Sequence, residues 1–152
     1  MRTLADPADT ASILARLAQL APDSPRQWGR MSPHQAVCHL ADSFRAVMGL
    51  RHVEPASSFA ARTFIRFFAL HTSLPWPPGV PTRPEMDQER GGTPPVEFVR
   101  DERELAAIVN RFAAPARDFE FHPHPTMGRL TPREWMRWGY RHMDHHLRQF
   151  AA

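Results

Sequence analysis

Two segments of this chain begin in the same way, and that shared beginning constrains the fold more than any other feature. Ser32-Pro33-His34-Gln35 and Thr131-Pro132-Arg133-Glu134 each set a hydroxyl residue before a proline and follow it, three residues on, with an amide or a carboxylate. The hydroxyl can cap a helix, and proline suits the first helical position because its missing N–H is not needed there. Gln35 or Glu134 then completes a capping box. These two signals start a helix running to about Leu50 and another running to about Phe150. The other prolines, among 16 in the chain, mark where further helices stop.

Apolar spacing predicts three more helices between these breakers. The first runs from about Asp9 to Leu20, with Ile13, Leu14, Leu17 and Leu20 on one stripe and Pro22 closing it. Another, Ser58 to about His71, sets Phe64, Phe67 and Phe68 on one face and Arg62 with Arg66 on the other. A third begins at Asp101, with Glu104 three residues on, and carries Leu105, Ile108, Val109 and Phe112 inward before Pro115. From Pro75 to Pro95 no regular element survives, and the stretch reads as an ordered crossover loop. The expected architecture is a single all-α domain over residues 1–152. Its first, second, third and last long helices form a four-helix frame, and the Asp101 helix is an additional short member.

Composition narrows the function. With 42% hydrophobic and 23% charged residues the chain is ordinary globular material. Its pI near 10.3 overstates its basicity: lysine is absent, arginine holds its proton to very high pH, and the net charge is only +3. Arg16, Arg62, Arg66, Arg100 and Arg137 are scattered, which speaks against a nucleic-acid surface. One cysteine, Cys38, forms no internal disulfide, and the sequence shows neither a signal peptide nor a membrane span, so a cytoplasmic protein is expected. The aromatic faces around Phe64, Phe67 and Trp138 exceed what one bundle buries and point to a homodimer. There is no glycine-rich phosphate loop, no G-x-S-x-G elbow and no C-x-x-C pair.

The chemistry concentrates in the last helix. At about 100° per residue, His142 and His146 sit about 40° apart and one turn displaced, so both rings can converge on one point. His145 is an alternative partner for His142 at i, i+3 spacing, but His146 lies nearer the apolar stripe. Trp135 and Gln149 share the face of His142 and His146, and Asp144 turns away. A third imidazole comes from the second helix, where His39 points toward the bundle edge or core. His34, about 140° from His39, reads as a solvated residue of the first turn, and Cys38 as a small buried or half-buried filler. His71 reads as a helix-terminal residue, and His122 and His124 as parts of a proline-rich loop. Three neutral imidazoles from two helices make a site with open positions, the pattern of a catalytic metal, and imidazole suits zinc, nickel, iron and copper alike.

The same residues carry a family resemblance. Trp28-Gly29, Met31 to Gln35, Cys38 to Asp42, Gly91 to Phe98, His124-Pro125, Met127-Gly128, Leu130-Thr131, Glu134-Trp135 and His142 to Phe150 together resemble the DinB/YfiT-like superfamily of helical metalloproteins. Within it they resemble a small bacterial branch of unassigned function. The resemblance implies a bundle with a long crossover and a divalent ion, variously zinc, nickel, manganese or iron, held by His39, His142 and His146. Its better-known relatives are transferases and isomerases that use low-molecular-weight thiols. The expected function is therefore a metal-dependent enzyme, foremost a thiol-dependent S-transferase acting on a small electrophile. The alternative is a non-catalytic metal-binding or helical interaction module in stress response.

Overall fold

A computed structural model describes residues 1–56 and 58–152. Among them the regular structure is helical, with no strand beyond an isolated His124–Gly128 bridge. Among the described residues no helix is long and apolar enough to cross a membrane.

Helix α1, Pro7–Leu17, starts earlier than its apolar stripe suggested. Asp6 caps it by accepting from Ala8 N–H at 2.8 Å, and Pro7 opens it. This is a third use of the cap-then-proline order. Helix α2, Pro33–Val47, has its full capping box: Ser32 Oγ accepts from Gln35 N–H and Gln35 Oε1 accepts from Ser32 N–H. Twelve of its fifteen residues are buried, so α2 is covered on nearly every side.

The third helical run contains a π-helical turn, Ala61–Ile65, followed by α3, Arg66–His71. Within it the Arg66 N–H reaches back five residues to Ala61 O. A turn closed at that wider spacing displaces later side chains from their places on a 3.6-residue wheel. Arg66, expected on the outer face, turns inward to Glu134, and Phe64, Phe67 and Phe68 are each more than half exposed.

Helix α4, Phe98–Ala113, begins three residues before the expected start. Glu97 caps it by accepting from the N–H groups of Val99 and Arg100. It lies along α2 and buries Leu105, Val109 and Phe112. The expected hierarchy is thus reversed, since α4 is a principal helix and the run ending in α3 is peripheral. Helix α5, Pro132–Arg148, has its own complete capping box through Thr131 and Glu134.

The core lies among α1, α2, α4 and α5. Phe44, Phe112 and Trp138 meet edge to face or tilted at its centre, and Trp138 is buried rather than turned toward a partner as expected. Gly139 lets the N-terminal segment approach, because a Cβ there would lie 2.6 Å from Leu4 Cδ1 and 3.0 Å from Phe112 Cε1. The proline-rich crossover contains one 3-10 turn, Pro84–Met86.

Candidate metal centre

His39, His142 and His146 come together between α2 and α5, with one ring nitrogen of each within 4.8 Å of the others. All three are nearly fully buried. His39 Nδ1 lies 2.9 Å from Met86 O. A carbonyl only accepts, so Nδ1 carries the hydrogen and Nε2 keeps its lone pair. His146 is fixed by the same logic. The Gln149 Nε2 amide donates to Trp28 O at 2.9 Å, which leaves Gln149 Oε1 to accept from His146 Nδ1 at 2.9 Å. The Nε2 atoms of His39 and His142 face each other at 3.3 Å, close to the ~3.4 Å between two imidazole nitrogens on a tetrahedral zinc at ordinary bond lengths. Such supporting bonds to a backbone carbonyl or a side chain set the tautomer and orientation of metal-binding histidines. The donor set and its orientation fit a divalent ion.

The electrostatics agree. Burial lowers the His39 pKa against the raising effects of Met86 O, Asp42 and Asp87. Burial and then the neighbouring imidazoles hold His142 well below its ordinary 6.5, and His146 is lowered in the same way. All three rings are neutral at pH 7, the state in which imidazole binds a metal.

Supports that sequence reasoning did not reach surround this trio. Asp42, three residues after His39 and fully buried, accepts from Thr93 N–H and Thr93 Oγ1 at 2.7 Å each. It also accepts from Gln88 Nε2 and from Arg45 and Arg51. That carboxylate fastens the crossover onto α2, and the turn it anchors presents Met86 O to His39. Gly29 stands at φ +73°, where a Cβ would lie 2.7 Å from Gln149 Nε2. It supplies both a left-handed backbone and room for the amide that orients His146. A buried Asp inside an apolar helix face was the available sign for the first support. Trp28-Gly29 was the sign for the second.

The remaining candidates have other employment. His34 is not a solvated residue, because its Nε2 lies 2.7 Å from Asp101 Oδ2 and its ring meets Phe98 edge on. Cys38 is buried, and burial, then Asp101 and Asp42, pushes its thiol up to about 12. His71 ends α3 and bonds Glu134, whose carboxylate also takes a bidentate Arg66. Burial opposes ionisation of Glu134, yet Arg66, Thr131 N–H and His71 hold it well below the usual carboxylate range. His124 Nδ1 accepts from Thr126 and Met127 N–H, and burial lowers its pKa to about 4. His122 is exposed. His145 packs beside Trp28, Trp76 and His146 but stands outside the trio. Asp144 turns to Arg16 at 2.6 Å, as its place on the helix wheel predicts.

Residues 79–152, just under half of the chain, are similar to a family described as a protein of unknown function (DUF1569). No curated protein and no solved structure matches the chain.

Proposed function

We propose that the protein is a divalent-metal-dependent enzyme of DinB/YfiT-like architecture, with α1, α2, α4 and α5 as its four-helix frame. In this reading it transfers a low-molecular-weight thiol to a small electrophile. One observation carries the reading: three neutral imidazoles converge, and among the described residues no fourth His, Cys, Asp or Glu joins them. A structural zinc closes its sphere with a fourth protein ligand, whereas a catalytic ion keeps a position open. What a divalent ion supplies in such a setting is Lewis acidity, which lowers the pKa of a thiol or of water.

The chain's own groups do the rest. His39 and His146 are held in one tautomer by Met86 O and Gln149 Oε1, so their Nε2 lone pairs stay directed at the common point. Trp76 and Trp138 pack on His142 with ring centroids 5.8 and 5.1 Å away and limit water there. Zinc, nickel, manganese and iron all remain compatible with the donors.

The test is a panel of low-molecular-weight thiols with a chromogenic electrophile, run on metal-loaded protein and on His142→Ala. Turnover that depends on His142 supports the transferase. Equal background rates in both proteins, with thiols and with hydrolysable esters, overturn it.

A second reading, a helical interaction module, is favoured by the exposed aromatic face of Phe59, Phe64, Phe67 and Phe68. Under either reading that face is proposed to pair two copies of the chain as a homodimer. Light scattering should give twice 17.4 kDa; the monomer mass across micromolar concentrations would exclude the dimer.

A further inference from the structure

Beside the histidine trio lies a separate cavity of about 280 Å³, between α5, the segment after α3 and the N-terminal residues. Its walls include Arg2, Trp76, Tyr140, Arg141, His145 and Arg148, and none of the three converging histidines lines it. One ring divides the two places. Trp76 faces the cavity and also packs 5.8 Å from His142 and 6.0 Å from His145.

The wall is cationic. Its one carboxylate, Asp144, is matched by Arg16, which stands outside the cavity, and Arg148 Nε approaches it only to 3.9 Å. Arg141 is held by the carbonyls of Thr72 and Leu74 and lies over the Trp76 ring at 5.7 Å. Arg2 donates to Tyr140 Oη at 2.8 Å and reaches Asp9 only at 3.8 Å. Two wall nitrogens, His145 Nδ1 and Arg148 Nε, are buried with no hydrogen-bond partner among the described residues. Arg148 Nε can only donate, and a buried donor without an acceptor is costly; cations gathered without matching anions repel one another, so an acceptor carrying negative charge relieves both.

We infer that this cavity binds a small monoanionic carboxylate with a flat apolar body. The carboxylate sits toward Arg2 and Arg148, and the body lies against Trp76 and Tyr140. A guanidinium fork suits planar carboxylate oxygens. Asp144 in the same wall disfavours a doubly charged phosphate, and the volume falls just short of a drug-sized site. Trp76 stands between the cavity and the trio, so this anion is not taken to reach the histidines. Its binding is independent of the metal-enzyme reading, since its residues are others.

Benzoate and its neutral counterpart benzamide are the probes, titrated by calorimetry into metal-free and metal-loaded protein. Benzoate should bind both forms at least about tenfold more tightly than benzamide, the range of a charge-assisted hydrogen bond. Arg148→Gln combined with Arg2→Gln should remove that preference while circular dichroism and melting stay those of the parent. Equal affinity for the two probes, no binding of either, or an unchanged preference in the folded double variant overturns the inference. So does benzoate that binds only after metal loading, which would place it at the histidines, or inorganic phosphate that displaces benzoate at lower concentration. Failure of the metal reading shows differently: metal content insensitive to His142→Ala, with benzoate discrimination intact.

Discussion

Helix α2 contributes to two trios of potential metal ligands, and they are built to opposite purposes. His39, with His142 and His146, forms a group whose supporting bonds all run outward, to Met86 O and Gln149 Oε1, so its inner nitrogens are left facing one another. His34 and Cys38, with Asp101, form a group of similar tightness. There Asp101 Oδ2 already accepts from His34 at 2.7 Å and from Val96 N–H at 3.1 Å, with Cys38 Sγ at 3.7 Å. The second trio satisfies itself and ties α4 to α2. In the first, His39 and His146 are satisfied on their outer nitrogens, His142 Nδ1 finds no partner among the described residues, and the inner nitrogens are left to one another. Proximity of ligand types does not separate a metal site from a structural knot; the direction of the supporting hydrogen bonds does.

The largest expected effect tests that distinction directly. In protein purified without a histidine tag, His39→Ala, His142→Ala or His146→Ala should each weaken metal binding by more than the 10–100-fold, roughly, that loss of a supporting partner costs. The triple variant should carry no stoichiometric metal by elemental analysis. His34→Ala and Cys38→Ala should keep it. Equal losses from both trios would erase the difference between them.

Acid should next separate the two trios in metal-free protein. The three buried histidines of the centre, and the half-buried His124 with its pKa lowered to about 4, bind protons more readily unfolded than folded. The stability they confer is complete above their unfolded value near 6.5 and declines as pH falls; His124, a member of neither trio, adds about 3 kcal/mol of loss by pH 4, so the comparison is made in a His124→Gln background. Burial raises the Asp101 pKa, but Val96 N–H and His34 outweigh it and hold the carboxyl below its ordinary 3.8. Its contribution therefore persists through that window and fades only at lower pH. Denaturant midpoints at pH 7.5, 5 and 3.5 should show the first decline before the second. A flat profile from 7.5 to 5 would contradict the neutral, buried state of the histidines.

The smallest effects separate along metal affinity. Gln149→Ala should weaken metal binding about 10–100-fold and, because it strands Trp28 O and His146 Nδ1, cost about 1–3 kcal/mol of stability. Asp101→Asn should cost about 1–2 kcal/mol of stability and leave metal affinity alone. Isothermal denaturation and competitive chelation, run on both variants, measure the two axes. A Gln149 variant that lost stability and kept its affinity would make the amide a packing residue.

Local signals account for what was legible in the chain. Both capping boxes are complete because every atom they need lies within four residues, and the convergence of His142 with His146 follows from helical period alone. His39 was placed by its neighbours on α2. Where reading failed, the deciding partner was distant. Arg66 and Trp138 took places set by Glu134 and by Phe44 with Phe112, and a π-helical turn changed the register before α3. His34, half-buried rather than fully solvated, bonds Asp101, 67 residues away. Met86 enters the centre through a backbone carbonyl, a group that every residue owns and that no side-chain pattern advertises.

His39 and His142 are 103 residues apart in the chain, His39 and Met86 are 47 apart, and Gln149 and Trp28 are 121 apart. Closing such loops is entropically expensive, and contacts of this span form late relative to local helices. Helix α5 carries His142, His146 and, at its end, Gln149, but the third ring and Met86 O come from elsewhere, and a fluctuation that undocks α5 from α2 disperses the centre. An ion that binds only the docked arrangement would act on the whole molecule, adding about 2.7 kcal/mol at one hundred times its dissociation constant. Cellular abundance would then follow metal supply, since the ion-starved chain spends more time unfolded and open to proteolysis.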